Sequence, residues 1–317
     1  MKKLPSVSVI VPIYNGEKDL PDLVSCLLAQ TYPAEQVEYL LVDNNSSDRT
    51  ADLLQAAAED AANRGLTIRS LTEKEIQSSY AARNTGIKAA ISEILAFTDA
   101  DCRPIPDWLQ LLVEPFANSE VGLVVGEIVG LPGTTLLEKY AEQKSVLSQK
   151  FTLEHPFCPY GQTANLAIRR EAFTEVGLFR PYMITGGDAD ICWRILQSTD
   201  WKLEFAAKAI IRHRHRSNLR ELRSQWRRYG KSNRYLHELY GVDLMREATN
   251  KEIIYRLGRW LLKELPVASF GAIAKKNSWL DAIATPIDLI GFYSRSLGQK
   301  ETQLPELAKK IDRLSNQ

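Results

Sequence analysis

Between residues 7 and 98 short β-branched runs alternate with helix-patterned stretches, and that alternation leaves few folds open. Residues 7–13, Val-Ser-Val-Ile-Val-Pro-Ile, are nearly all apolar, as in a strand buried on both faces. Asn15 and Gly16 follow as a turn, with Asn15 placed to cap a helix over 17–29 that sets Leu20, Leu23, Val24, Leu27 and Leu28 on one face. A second strand, 37–43, ends in Asp43; Ser46-Ser47-Asp48 then signals a helix over 48–63. A strand at 67–71, a helix at 79–91 and a strand at 94–98 repeat the unit. Strands and helices at crossover length predict an α/β fold with a mostly parallel, doubly wound sheet flanked by helices.

Past residue 105 the pattern loosens. We expect a helix at 106–117, a strand at 121–129, a helix near 134–151, a strand at 163–168, helices at 170–176 and 188–198, and strand pieces at 202–206 and 209–213. From Ser217 onward only helices are read: 217–239, 249–264, 279–297 and 303–314. This divides the 317 residues into 1–216 and a helical C-terminal extension, 217–317. The net charge of +1 confines any anion affinity to local patches. Cys26, Cys102, Cys158 and Cys192 are scattered, with no zinc ribbon or redox pair. Met1 to Pro5 runs straight into a strand and does not read as a signal peptide. Both features fit a reducing, cytoplasmic compartment. No run of about 18 apolar residues predicts a membrane-spanning helix.

In open α/β sheets ligands bind at the carboxyl ends of the strands. Strand one ends in Pro12-Ile13-Tyr14-Asn15, strand two in Asp43-Asn44-Asn45, strand four in Thr98-Asp99-Ala100-Asp101. Three carboxylates therefore converge on one edge with no arginine in the same turns. Asp99 and Asp101 repel one another unless a divalent cation sits between them, and oxygen ligands suit Mg2+ or Mn2+, which in turn attract a diphosphate. The competing reading is an Asp-rich turn capping the next helix. Arg83, among small residues in Ala81-Ala82-Arg83-Asn84-Thr85-Gly86, either reaches a phosphate or base or is a solvated helix arginine.

These segments, in this order, resemble family-two glycosyltransferases, which have the GT-A fold. Residues 7–15, 41–48, 82–86 and 97–101 look like the opening strand, the second strand with its cap, the donor-binding turn and the metal-binding motif; the resemblance covers about residues 6–232. It implies a GT-A catalytic domain at 1–216, with a donor half at about 1–105 and an acceptor half at about 106–216. It implies a nucleotide-sugar donor held by Pro12, Ile13, Tyr14, Asn15, Asp43, Asn45, Arg83, Asn84, Asp99 and Ala100. Asp99 and Asp101 would meet a metal, with His213 or His215 completing the site and His213 favoured as nearer the strand end.

In Gly186-Gly187-Asp188-Ala189-Asp190, Asp188 lies at a helix start, where the dipole favours its ionised form. It looks like the family's catalytic Asp, although Gly187 stands where the family often has Glu. Inverting transfer needs such a base for the acceptor hydroxyl; the competing reading is an N-cap. Asp190 is assigned to local support through caps or Arg194. Gln162, Thr163 and Asn165 resemble the acceptor-lining segment, joined by Gly187 and by Trp193, which either stacks on a sugar or fills the core. The acceptor would be a saccharide or a lipid-linked one.

From Arg212 to Arg234 there are nine basic residues and one acid, Glu221, in an amphipathic pattern. This helix either flanks the diphosphate, rests on an anionic membrane surface (the inner face, for a peripheral protein), or is a solvated face. The apolar stretches 257–273 and 279–293 are too polar to span a bilayer, yet could lie in its interface or pack as a subdomain. Nucleic acid is not expected as a partner, since the rest of the chain carries no positive excess. Two alternatives stay open: a non-catalytic, membrane-attached sugar-nucleotide-binding protein, and a sugar nucleotidyltransferase. The Tyr14-Asn15-Gly16-Glu17 loop disfavours the second, having no Gly-rich basic sequence.

Overall fold

The computed structural model describes residues 4–247, 249–273 and 279–314. The N-terminal reading at 1–3 and the tail residues 315–317 lie outside them. In chain order the elements are β1 (Val7–Ile13), α1 (Leu20–Leu28), β2 (Val37–Asp43), α2 (Thr50–Asn63), β3 (Thr67–Thr72), α3 (Ser79–Ala89), β4 (Ile94–Phe97), β5 (Cys102–Pro104), α4 (Trp108–Val113) and β6 (Val121–Gly130). They continue with α5 (Leu136–Gln143), α6 (Lys150–Leu153), β7 (Leu166–Arg169), α7 (Arg170–Val176), α8 (Gly187–Ser198), β8 (Lys202–His213), α9 (Leu219–Tyr240), α10 (Asn250–Arg259), α11 (Leu265–Ile273) and α12 (Trp279–Lys300).

Two compact units emerge. The first comprises Met1–Val129, Leu147–Arg214 and Pro305–Gln317; the second comprises Gly130–Val146 and His215–Leu304. In the first unit an eight-stranded sheet runs β3-β2-β1-β4-β7-β6-β8-β5. β3, β2, β1 and β4 are parallel, with β1 at the centre and fully buried, as its apolar run requires. Beyond β4 the pairing turns antiparallel: β7 against β4, β6 against β7, and β8 against β5. This is the expected GT-A-like α/β class, with the parallel register confined to its donor half.

Several boundaries differ from the sequence reading for local reasons. The helix expected over 134–151 is split into α5 and α6, with Ser145 left-handed at φ 49° between them. The strand expected from 163 starts at Leu166, after a 3₁₀ turn at Thr163–Asn165. β8 is one strand of 12 residues, not two. The helix expected at 303–314 is a 3₁₀ turn at Glu306–Lys309 followed by a strap along the first unit. Ala308 and Leu314 are buried there, and Leu178 donates its N–H to the Asp312 carbonyl at 2.7 Å. Gly177, at φ 81°, admits the strap; a side chain there would strike Ile311 and Asp312.

The second unit is helical. Asn218 caps α9 by accepting from Glu221 N at 3.0 Å. α9 and α12 cross with their backbones in contact, because a Cβ on Gly230 would strike the Arg295 carbonyl and one on Gly298 the Arg227 carbonyl. Tyr140 of α5 packs with Leu222 and Ile287 and donates its hydroxyl to Asp288. A π turn at Trp260–Glu264 joins α10 to α11. No helix among the described residues is long and apolar enough to cross a membrane.

Candidate active site

The site is assembled where the parallel strands end. Ile13 and Asp43 are register partners, so the loops after β1 and β2 leave the sheet side by side. They are laced together: Asn15 donates its N–H to Ser46 Oγ at 2.8 Å, and Ser47 donates its N–H to Asn15 Oδ1 at 2.9 Å. Asn15 therefore spends its side chain on the neighbouring loop and does not cap α1, whose N-cap is Asp19. Asn15 and Asn45 both adopt left-handed backbone, at φ 50° and 61°, a conformation asparagine tolerates. Pro12 and Ile13 are buried and Ile13 packs in the core, whereas Tyr14 projects into solvent. Asp43 is buried beneath the rim and accepts from Ser46 N at 3.0 Å.

Asp99 and Asp101 separate chemically. Asp99 Oδ1 is held by the Arg83 guanidinium, which comes from α3, so this carboxylate does have an arginine, delivered by the fold and not by its own turn. Arg83 is almost wholly buried and its centre lies 5.5 Å from the Tyr80 ring centroid. Its Nε is buried and has no hydrogen-bond partner among the described residues. Asp101 faces His213 instead, with Oδ1 3.3 Å from Nε2. β5, a strand the sequence reading missed, brings them together, since Cys102 is the register partner of His213. Asp101, Cys102 and His213 offer ligand atoms all within 4.8 Å of one another, the one such group among the described residues. Burial, then the charges of Asp99 and Asp101, push the Cys102 thiol well above its usual range and keep it neutral.

Asp188 opens α8, behind the left-handed Gly186 (φ 81°). It accepts from Thr163 Oγ1 at 3.0 Å. Burial raises its pKa above the ordinary aspartate value of 3.8; Arg83 opposes the rise and Asp99 adds to it. The three groups thus feel one another's charge. Tyr80 ties them together. Its hydroxyl accepts from Gly187 N at 2.9 Å and donates to Asp188, while its ring stacks on Phe179 at 5.6 Å. Gly187 is required here, because a Cβ would enter the Tyr80 ring. Sequence reasoning missed Tyr80; its spacing of three from Arg83, one helical face, was the available signal.

Other expected residues are placed elsewhere. Asn84 clasps the Phe179 backbone from both ends, at 2.8 and 3.0 Å. Asn165 is fully buried: it accepts from Trp108 Nε1 and donates to the Glu127 and Ala209 carbonyls, each at 2.8 Å. It joins α4, β6 and β8 and has no surface for an acceptor. Trp193 is likewise fully buried, among His155, Phe157 and Tyr160, and donates Nε1 to Cys158 O at 2.8 Å, so it fills the core. Gln162 is half-buried and bonded through its backbone N–H to Gln149 Oε1. Ala100 is half-buried beside Asp101, and its carbonyl accepts from Arg103. His215 lies past the end of β8 in the second unit, over Gly130, and is not a member of the Asp101–Cys102–His213 group.

The family model for glycosyl transferase family 2 matches residues 8–177, and that for glycosyl transferase family group 2 matches 94–280. The chain is 33% identical over 268 residues to glycosyltransferase AglE of Haloferax volcanii, covering 82% of this chain and 81% of that protein. It is 29% identical over 231 residues to the pre-mycofactocin glycosyltransferase of Mycobacterium tuberculosis, covering 71% of this chain but 46% of the relative. Among solved structures, the mannosyltransferase PcManGT of Pyrobaculum calidifontis, in complex with GDP-Man and Mn2+, superposes with a TM-score of 0.59 at 20% identity, over 94% of this chain and 85% of that one. Fold and relatives together make the chain a glycosyltransferase of the GT-A type. It belongs to glycosyl transferase family 2.

Proposed function

We propose that the chain transfers a sugar from a nucleotide-diphosphate sugar to an acceptor hydroxyl, with inversion, using a divalent cation held by Asp101 and His213 and using Asp188 as general base. The observation that carries the reading is the facing pair Asp101 and His213. His213 Nδ1 donates to the Arg214 carbonyl at 2.8 Å, which leaves Nε2 toward Asp101 Oδ1. A neutral imidazole would then set a lone pair against a carboxylate, an arrangement that a cation between them relieves. A backbone carbonyl orienting the imidazole is the usual support of a metal-ligating histidine. Carboxylate oxygen and imidazole nitrogen suit Mn2+ or Mg2+ better than a thiolate-seeking ion. Such a cation supplies positive charge to the departing diphosphate.

The chain's own residues do the rest. The buried Arg83, steadied by Asp99, would bind phosphate or base. Asp43, Asn45 and the exposed Tyr14 line the two loops that would receive the nucleoside. Asp188 would take the proton from the acceptor hydroxyl as its oxygen attacks the anomeric carbon and the bond to the diphosphate breaks. Thr163 and Tyr80 hold that carboxylate. The acceptor is a saccharide or a lipid-linked saccharide met at an anionic membrane surface.

The deciding experiment pairs Asp101→Ala with a thermal-shift titration of nucleoside diphosphates. In the wild type Mn2+ plus nucleotide raises the melting temperature, as ligand binding to the folded state must. In the variant the Mn2+-dependent part of that shift and the transfer activity both disappear. An unchanged shift and unchanged turnover would falsify the metal assignment. A second test concerns the base. Thr163 bonds the ionised Asp188, so Thr163→Val raises the pKa of that carboxylate further. The acid limb of kcat/KM, along which activity falls as Asp188 becomes protonated, should move to higher pH. A limb that stays put, or moves to lower pH, removes Asp188 from the base role.

A further inference from the structure

The sequence directs attention to the arginines of α9 as a membrane-facing element, but the second unit carries a better-formed surface on α10 and the π turn. Ile254, Tyr255, Leu261 and Leu262 are 70, 67, 57 and 81% exposed, and Leu257 is exposed beside them. They fall at spacings of three, four and seven, so they form one stripe along one side of the segment. Single exposed leucines are ordinary; a contiguous stripe of five large apolar side chains is not. The opposite side of the same segment is fastened to α12. Trp260 donates Nε1 to the Ala282 carbonyl at 2.7 Å, and Glu264 accepts from Thr285 Oγ1 at 2.6 Å. These bonds fix which side looks outward.

Charge selects the partner. The segment's two acids are already neutralised: Glu252 by Arg246 at 2.7 Å and Glu264 by Arg259 at 2.6 Å. Lys251 and Lys263 flank the stripe, are exposed, and have no ion pair among the described residues. An apolar stripe with unbalanced lysines along it matches a bilayer with anionic headgroups: leucines enter the acyl boundary and the ammonium groups stay at phosphate level.

We infer that the outward face of α10 and the π turn is an interfacial anchor that seats the second unit on an anionic lipid bilayer. The inference rests on the proposed membrane-borne acceptor and names the residues that make the contact. The test uses the full chain and vesicles of phosphatidylcholine with or without phosphatidylglycerol, without donor or metal. The wild type should sediment with the phosphatidylglycerol vesicles and be released by salt. Leu261→Ser/Leu262→Ser should lower that partition about tenfold or more, with an unchanged melting temperature, because both side chains are already in solvent. Arg223→Ser/Arg228→Ser, on α9, should lower it less. Equal partition of the leucine variant and wild type, or a larger loss in the α9 variant, overturns the anchor while leaving a membrane acceptor in place. No sedimentation of the wild type overturns both. A wild-type dimer in size-exclusion chromatography that the leucine variant dissolves would assign the face to a second copy of the chain, which also overturns it. Transfer chemistry is untouched by any of these outcomes, since the assay involves no turnover.

Discussion

Asp188→Asn is expected to cut turnover by about 10²–10⁴-fold, the usual worth of a positioned proton acceptor, with donor affinity kept. Asparagine is isosteric and still accepts from Thr163, so the surroundings of Arg83 and Tyr80 should persist. Single-turnover kinetics and a donor titration separate the two effects; equal loss of binding and turnover would place Asp188 in donor binding instead. Stability gives an independent check. The folded pKa of Asp188 is raised, mainly by burial. A carboxyl with a raised folded pKa binds its proton more tightly when folded, so its contribution to stability falls as pH climbs from the ordinary aspartate range through the raised value. At neutral pH the ionised group therefore opposes folding, and the asparagine variant should melt at or above the wild type.

Two residues further along α8 the same side chain has the opposite effect. Asp190 is fully buried between two arginines, with Oδ1 2.8 Å from Arg180 Nε and Oδ2 3.0 Å from Arg194 Nη2. Arg194 also donates to the Val176 and Leu178 carbonyls, and Arg180 to the Lys309 carbonyl. Asp190→Ala would leave two buried guanidinium groups without their anion, and removing one partner of such a set costs about 3–5 kcal/mol. Typical domains hold about 5–15 kcal/mol in total, so the variant should denature at far lower urea, or accumulate poorly. Asp190→Asn, which keeps the acceptor oxygen, should lose less. A midpoint within error of wild type for Asp190→Ala would mean that water or a neighbouring group takes over from the carboxylate.

The two aspartates show what could and could not be read from sequence. The spacing of Asp190 and Arg194, four apart on a helix, announced their pairing. Arg180 lies before the helix, and no local pattern tied it to Asp190. Three of the four parallel strands, β1, β2 and β4, were legible as largely apolar runs that a sheet covered on both sides buries, whereas β3, with Ile68 and Leu71 as its apolar residues, was legible from its place in the alternation. β5 was not legible: three residues, Cys102–Pro104, carry no periodicity, and they pair only because β8 arrives from more than a hundred residues away. The same limit hid the Arg83–Asp99 pair. Asn84 and Asn165 were read as ligand contacts, and Trp193 was left between a sugar contact and the core, because polar and aromatic residues near a site motif invite such readings. Their environments show buried amides satisfying buried carbonyls, and an indole packed by three rings. Burial is a property of the assembled core, which side-chain type does not encode. Tail residues 303–314 failed for a related reason: their apolar residues fit a helix, yet burial along a strap satisfies them better than a helix exposed to water.

That strap has a bearing on how the polypeptide is made. Gly177, Leu178 and Arg180 receive it from a segment that the ribosome delivers only after the whole of the helical unit has emerged. The segment before α8, the helix that carries Asp188, therefore gains this fastening only once residues 305–314 have been made. A chain stopped before residue 305 would present Asp188 from a segment that lacks this fastening.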